Sequence, residues 1–148
     1  MNIDELRQEI QNDEGRVNSV YLDHLNLPTI GIGHLIKESD PEYGLPVGTA
    51  VDDERVNELF DQDIKVTLSE CEQLYGNFND LPEEVQKILA NMMFNLGRPR
   101  LSRFLKMKQH VDNRDFASAS LEMKNSKWYR QVPNRAQRLC DRMFNITT

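Results

Sequence analysis

Two cysteines, three histidines and one tryptophan are all that 148 residues contain of the types that build disulfide frameworks, zinc centres and indole platforms. Cys71 and Cys140 sit among apolar residues at helical spacing, and no CxxC pair exists, so both read as buried free thiols. His24, His34 and His110 are far apart and form no zinc motif; no metal and no cofactor is expected. No run approaches the ~18 apolar residues of a membrane span, so no membrane insertion is expected. The start, Met1-Asn2-Ile3-Asp4-Glu5-Leu6, has neither a basic region nor an apolar one, which argues against a signal peptide and for synthesis in the cytoplasm. Positive charge is also short: 18 Lys and Arg against 24 Asp and Glu leave a net −6, without the electrostatic footprint of a nucleic-acid binder. Repeats and low-complexity stretches are absent. With 39% apolar and 28% charged residues the chain is not disordered. At this length a single domain buries roughly 70% of its unfolded surface and needs no staple to fold.

The patterning predicts an order of elements. Ile3, Leu6 and Ile10 recur at helical spacing, and Gly15 is a plausible stop. Residues 17–36 turn β-branched and aromatic, interrupted by Asp23-His24-Leu25-Asn26, Pro28, Gly31 and Gly33, and predict a hairpin or three-stranded sheet. Residues 37–51, with Pro41, Gly44, Pro46 and Gly48, read as an irregular loop. Asp52 can cap a long helix whose apolar stripe runs Val56, Leu59, Phe60, Ile64, Leu68, Cys71 and Leu74 and ends near Gly76. Asp80-Leu81-Pro82-Glu83-Glu84 predicts a second helix start, with Asp80 as cap, and residues 85–96 are apolar nearly all round, as in a central core helix ended by Gly97. Shorter helices are expected over 101–111, 114–123 and 133–144. The fold class is α+β and mostly helical, with a small β-containing N-terminal lobe, a long connecting helix and a helical C-terminal lobe. A cleft between two lobes is a common ligand site.

The segment that carries chemistry is Glu14-Gly15, then Asp23, then Thr29-Ile30-Gly31-Ile32-Gly33-His34. A helix terminus followed at once by a hairpin can fold back and bring Glu14 to face Asp23. Glycoside hydrolysis needs two carboxyl groups in different states, one protonated to donate to the leaving oxygen and one ionised to activate water. A helix end packed on a core favours the protonated role for Glu14; a polar turn with Asn26 nearby favours the ionised role for Asp23. Spacing alone carries little weight, because 24 acidic residues make such a pair expected by chance. Thr29 by itself is an ordinary strand residue, and Gly31 and Gly33 are backbone-approach or bulge glycines.

The whole string resembles the phage-type lysozymes, the family of T-even phage lysozyme and related endolysins (glycoside hydrolase family 24). Both the Glu-x8-Asp-x5-Thr spacing and the Thr-Ile-Gly-Ile-Gly-His run match, and three further blocks follow in order: Leu59 to Asp63, Asn91 to Gly97 and Ser126 to Arg138. The resemblance implies one lysozyme domain over 1–148, with a β-containing lobe over about 13–55 and helical parts over 1–12 and 56–148. It implies a muramidase that hydrolyses the β-1,4 bond between N-acetylmuramic acid and N-acetylglucosamine of bacterial peptidoglycan with inversion. Glu14 would be the general acid, Asp23 would activate the water and Thr29 would assist that water. Leu35 and Phe94 fall where the family lines its sugar cleft, and Arg135 where it keeps an arginine near the catalytic glutamate. The implied setting is an endolysin: a monomer made in the host cytoplasm, passed by a holin to the periplasm and cell wall, and causing bacteriolysis. The alternative is a catalytically weak wall-binding module of a phage particle; an unrelated helical binding protein is remote.

Three features depart from the family. Met107 and Glu122 stand at two of its cleft-lining positions, Val132 precedes Pro133 where a capping hydroxyl is expected, and the net charge is −6 where the best-known member is basic. Outside the motif, His34 is expected to pair with an acid, Asp63. Trp128-Tyr129 is expected to pack in a core rather than serve sugars, and the basic run Arg98, Arg100, Arg103, Lys106 and Lys108 is read as a solvated face, with anionic wall polymer as the alternative partner.

Overall fold

The computed structural model describes residues 1–147 and divides into two compact units, residues 3–66 and residues 1–2 with 67 onward. The first unit begins with α1 (Ile3–Glu14), which buries Leu6 and Ile10 and ends where Gly15 takes φ +77° and donates its amide to the Gln11 carbonyl at 2.8 Å. A three-stranded antiparallel sheet follows in the order β1 (Val17–Leu22), β2 (Pro28–Gly31), β3 (His34–Leu35). The register pairs Tyr21 with Thr29 and Thr29 with Leu35, so these three form one row across the sheet. Directly opposed residues of antiparallel strands share a face. The register shifts between Val17 and Tyr21, where β1 turns to residues 48–51: Gly48 donates to Val20 O and Val51 to Asn18 O.

Residues 37–51 are irregular apart from one bridge between Ser19 and Ala50. Helix α2 (Asp53–Leu74) starts on the expected cap, Asp52, whose Oδ1 accepts from Arg55 N at 2.8 Å. At about 1.5 Å per residue it spans roughly 33 Å, and its buried stripe (Val56, Leu59, Phe60, Ile64, Thr67, Cys71) supplies both units. Gly31, also at positive φ, lies where a methyl would meet Val56 Cγ1 at 3.0 Å, so this glycine lets the strand lie close on the helix.

The second unit is helical. α3 (Glu83–Leu96) buries residues on nearly every side, as its composition predicts, and ends at Gly97 with φ +79°. Asp80 is not its cap. That residue closes a short 3-10 turn, Phe78–Asp80, and Pro82 takes the cap position with no side-chain bond, leaving Glu83 and Glu84 to face the positive helix end. The expected 101–111 helix is broken into α4 (Arg98–Leu101) and α5 (Leu105–Asp112), because Phe104 leaves the helical region (φ −80°, ψ 64°) and sets its ring edge-on to Trp128 at 6.4 Å. The next helix, α6 (Phe116–Lys124), starts later than expected because Asp115 caps it, accepting from Ser118 N at 3.1 Å. An additional turn, α7 (Lys127–Gln131), is capped by Ser126, and α8 (Pro133–Phe144) starts at Val132 without a side-chain cap. α6 packs on α5 and α8, and α3 on α8. The filling is soft: Met92, Met93, Met107, Met123 and Met143 are all buried. Both thiols are free and buried, and burial pushes Cys71 up to about 12 and Cys140 to about 11, so neither is a reactive thiolate. Among the described residues no helix is long and apolar enough to cross a membrane.

Candidate active site

Asp23 builds the turn that carries it. Its Oδ1 accepts from the amides of Leu25 at 2.8 Å and Leu27 at 2.9 Å, its own amide donates to Leu27 O at 3.0 Å, and Asn26 N donates to Asp23 O at 2.9 Å. The contribution of Asn26 is its backbone, held at φ +62°, a conformation asparagine tolerates better than most residues. One carboxylate oxygen is thus fixed by the fold, while Oδ2 has no hydrogen-bond partner among the described residues. Such an oxygen can accept a proton from a water without the turn giving way.

Thr29 follows two residues after Leu27 and is only 2% exposed. Its hydroxyl donates to Leu27 O at 2.8 Å, the same carbonyl that takes the Asp23 amide. With its proton spent there, Thr29 Oγ1 can only accept from a water. A water donating one hydrogen to Asp23 and one to Thr29 turns a lone pair outward, as an attacking nucleophile must. Leu35, directly across from Thr29, is 46% exposed and offers apolar surface beside that position.

Glu14 is the last residue of α1 and half-buried. Its carboxyl lies against the turn between β2 and β3: a methyl group on Gly33 would stand 2.5 Å from Glu14 Oε1 and 2.9 Å from its carboxyl carbon. Tyr21, half-buried on β1, is close to both acids. Burial raises the pKa of its phenol, the Glu14 charge adds to this, a backbone hydrogen bond from Gly33 partly offsets it, and the Asp23 charge raises it again. One unit thus gathers Glu14, Tyr21, Asp23, Thr29, Gly33 and Leu35. Gly33 carried a signal in the sequence as a backbone-approach glycine; Tyr21 carried none, because a tyrosine in a strand is unremarkable until its register is known.

His34 is a structural residue. Its Nδ1 bonds Asp63 at 2.7 Å, as expected, and its Nε2 bonds Asp40 at 2.8 Å, a partner the sequence did not suggest. Burial opposes the charged ring, but the bonds and charges of the two aspartates outweigh it and the histidine pKa is raised. Arg55 on α2 joins in, gripping both oxygens of Glu42 at 3.0 and 3.1 Å, and Lys37 N donates to Asp40 at 2.9 Å. This network ties β3 and the loop after it to α2.

The remaining predicted residues lie in the helical unit. Phe94 is half-exposed in the last turn of α3. Arg135 is buried and donates its Nε to Asn91 Oδ1 at 2.8 Å. Buried Met107 and half-buried Glu122 line, with Leu96 and Trp128, a cavity of about 480 Å³ within this unit. Trp128 is 2% exposed and donates to Asn95 Oδ1 at 2.8 Å, in keeping with a core role. The basic run is largely partnered: Arg98 with Gln73, Arg100 with Gln131, Lys108 with Asp112.

The chain is similar to several known proteins. The chain is 28% identical to "Probable T4-type lysozyme 2" of Dictyostelium discoideum, over 93% of its own length and 92% of that protein's. It is 27% identical to "Peptidoglycan hydrolase gp36" of Pseudomonas phage phiKMV over 78% of its own length but only 12% of the relative's. It is 24% identical to "Pre-baseplate central spike protein Gp5" of Enterobacteria phage T4 over 90% of its length and 26% of that protein's. The family model described as phage lysozyme matches residues 11–143, from just before Glu14 to the last turn of α8, and the chain belongs to the phage lysozyme family.

Proposed function

We propose that this protein is a muramidase that cleaves the β-1,4 bond between N-acetylmuramic acid and N-acetylglucosamine of bacterial peptidoglycan by direct, inverting displacement. Glu14 protonates the leaving oxygen, and Asp23 takes a proton from the attacking water. Thr29 accepts that water's other hydrogen, and Leu35 contacts the sugars. The observation that supports this reading best is the linkage through Leu27 O. It sets a carboxylate with one free oxygen beside a hydroxyl that can only accept, a pair suited to orienting one water. Inversion requires that water on the sugar face opposite the leaving group. The α-anomer should therefore be the first product seen by NMR; the β-anomer would overturn the mechanism.

The biological reading is part of the same proposal, and membership of the phage lysozyme family supports it. The protein acts as a monomeric endolysin that reaches the wall from the host cytoplasm with the help of a holin, and causes lysis. A second reading, a weakly active wall-binding module of a phage particle, is favoured by the similarity to a baseplate spike protein. Clearing of permeabilised Gram-negative cells separates the two. Turbidity should fall with the purified protein, whereas binding without clearing would favour the module.

A further inference from the structure

The chain divides its charge between the two units. Residues 3–66 carry 15 Asp and Glu against 5 Lys and Arg, while the helical unit carries 9 against 13 and is cationic within an acidic protein. Part of that excess surrounds the cavity of about 480 Å³. Leu96, Phe104, Met107 and Trp128 give it apolar walls, and Arg100, Arg103, Lys106 and Lys127 line it with four cations. The last three are exposed, so the cavity reaches the surface. Arg100 donates to Gln131, but Arg103, Lys106 and Lys127 make no hydrogen bond or ion pair among the described residues. One acid, the half-buried Glu122, lines the same cavity, and it too has no partner among them. Cations and an acid that share a cavity without pairing leave both signs open to a ligand. A purely anionic ligand, such as a lipid head group or a phosphate polymer, would use the cations but be repelled by Glu122. A ligand with carboxylates, an amine and apolar groups between them uses every wall. The volume lies within the ~300–1,000 Å³ of small-ligand pockets.

We propose that this cavity binds a short peptide bearing carboxylates and one free amine, the unpaired cations holding the carboxylates and Glu122 holding the amine. The source of that peptide rests on the muramidase reading: the peptides of peptidoglycan carry carboxylates and a diamino acid, and cross-linking converts the free amine of that residue into an amide. An amide offers Glu122 no charge and sets a carbonyl against its carboxylate, so the acid rejects the cross-linked form as well as attracting the free one. Glu122 is thereby a specificity-determining residue that makes the protein favour strands whose peptides are not cross-linked. The cationic unit draws either form in through its carboxylates, and the acid tells the two apart.

The test titrates the full chain with a tetrapeptide of alanine, γ-linked D-glutamate, lysine and D-alanine, acetylated at its first residue. A second peptide is acetylated on the lysine amine as well. Trp128 is the chain's only tryptophan, and its indole N–H, bonded to Asn95, gives one resolved NMR signal in the cavity wall. That signal should shift with the peptide, and the free amine should bind about tenfold tighter than the acetylated form, the worth of a charge-assisted hydrogen bond. Glu122→Gln should weaken the free-amine peptide about tenfold and leave the acetylated one unchanged or tighter, because a repulsive charge has gone. Lys127→Gln should weaken both alike. Equal affinities of the two peptides for wild type, or an unmoved indole signal, would overturn the proposal. Tighter binding of both peptides to Glu122→Gln would do the same and mark a general anion site for lipid or polymer. Neither peptide has a glycosidic bond, so the readout is independent of hydrolysis. A protein that distinguishes the peptides but clears no cells removes the muramidase reading and keeps the site; one that clears cells but binds both equally removes only the site.

Discussion

The two units hold themselves together differently. In residues 3–66 polar groups are placed one bond at a time: Asp23 by two amides, Thr29 by a carbonyl, His34 between two aspartates, Arg55 across Glu42. In residues 67 onward the order comes from area, with α3 buried nearly all round and five methionines in the core. Flexible methionine fills gaps but specifies geometry weakly, whereas a hydrogen-bonded turn fixes an oxygen to fractions of an ångström. Chemistry that must orient one water belongs on the first kind of scaffold; bulk stability can rest on the second.

The largest test of this contrast is Glu14→Gln. It keeps the shape and removes the proposed proton donor, so lysis should fall by at least about 10²- to 10⁴-fold while the melting temperature holds. Wild-type-like clearing by the variant would detach the site from the unit that builds it. Thr29→Val comes next. It removes only the hydroxyl, and Leu27 O keeps the Asp23 amide as a partner, so that carbonyl is not orphaned. Turnover should drop about 10²-fold, in the range of a lost transition-state hydrogen bond, with little change in melting temperature. A parallel fall in both would reduce Thr29 to a structural residue; no change in either would make it a plain strand residue.

A smaller effect is expected from the His34 network. Its raised pKa means that the folded state binds this proton more tightly than the unfolded chain. The resulting stability is fully present below the unfolded value near 6.5 and is lost as pH rises through the higher folded value. Asp40 is lowered; burial acts against this, but the Lys37 amide and His34 prevail, so its contribution holds above the ordinary carboxylate range and is lost in acid. The melting temperatures of wild type and His34→Gln should therefore differ most in mildly acidic solution and converge above neutrality. A gap that widened toward alkaline pH would contradict the assignment of the proton. The smallest effect lies in the helical unit. The Tyr75 hydroxyl is the single buried side-chain polar atom without a hydrogen-bond partner among the described residues. An unsatisfied buried group costs about 1–3 kcal/mol, so Tyr75→Phe should stabilise, raising the melting temperature by ~2–4 °C per kcal/mol recovered. A loss of stability on calorimetry would mean that the hydroxyl has a use.

By itself the sequence determined what local physics controls: the helical stripes, the Asp52 cap, the glycine stops at Gly15 and Gly97, the small sheet, and the string from Glu14 through Asp23 to Thr29. Periodicity, capping and turn chemistry act over a few residues, and the whole string, with the blocks that follow it, carries the resemblance to a family. It misjudged Asp80 and the 101–111 helix because Pro82 and the Phe104–Trp128 contact overrode local preference. Tertiary structure alone decided the rest. The register shift between Val17 and Tyr21 sets Tyr21 opposite Thr29, the chain's return brings Gly33 under Glu14, and the loop after β3 delivers Asp40 to the far nitrogen of His34. Each of these depends on where two distant segments meet, and neither segment carries that information without the other.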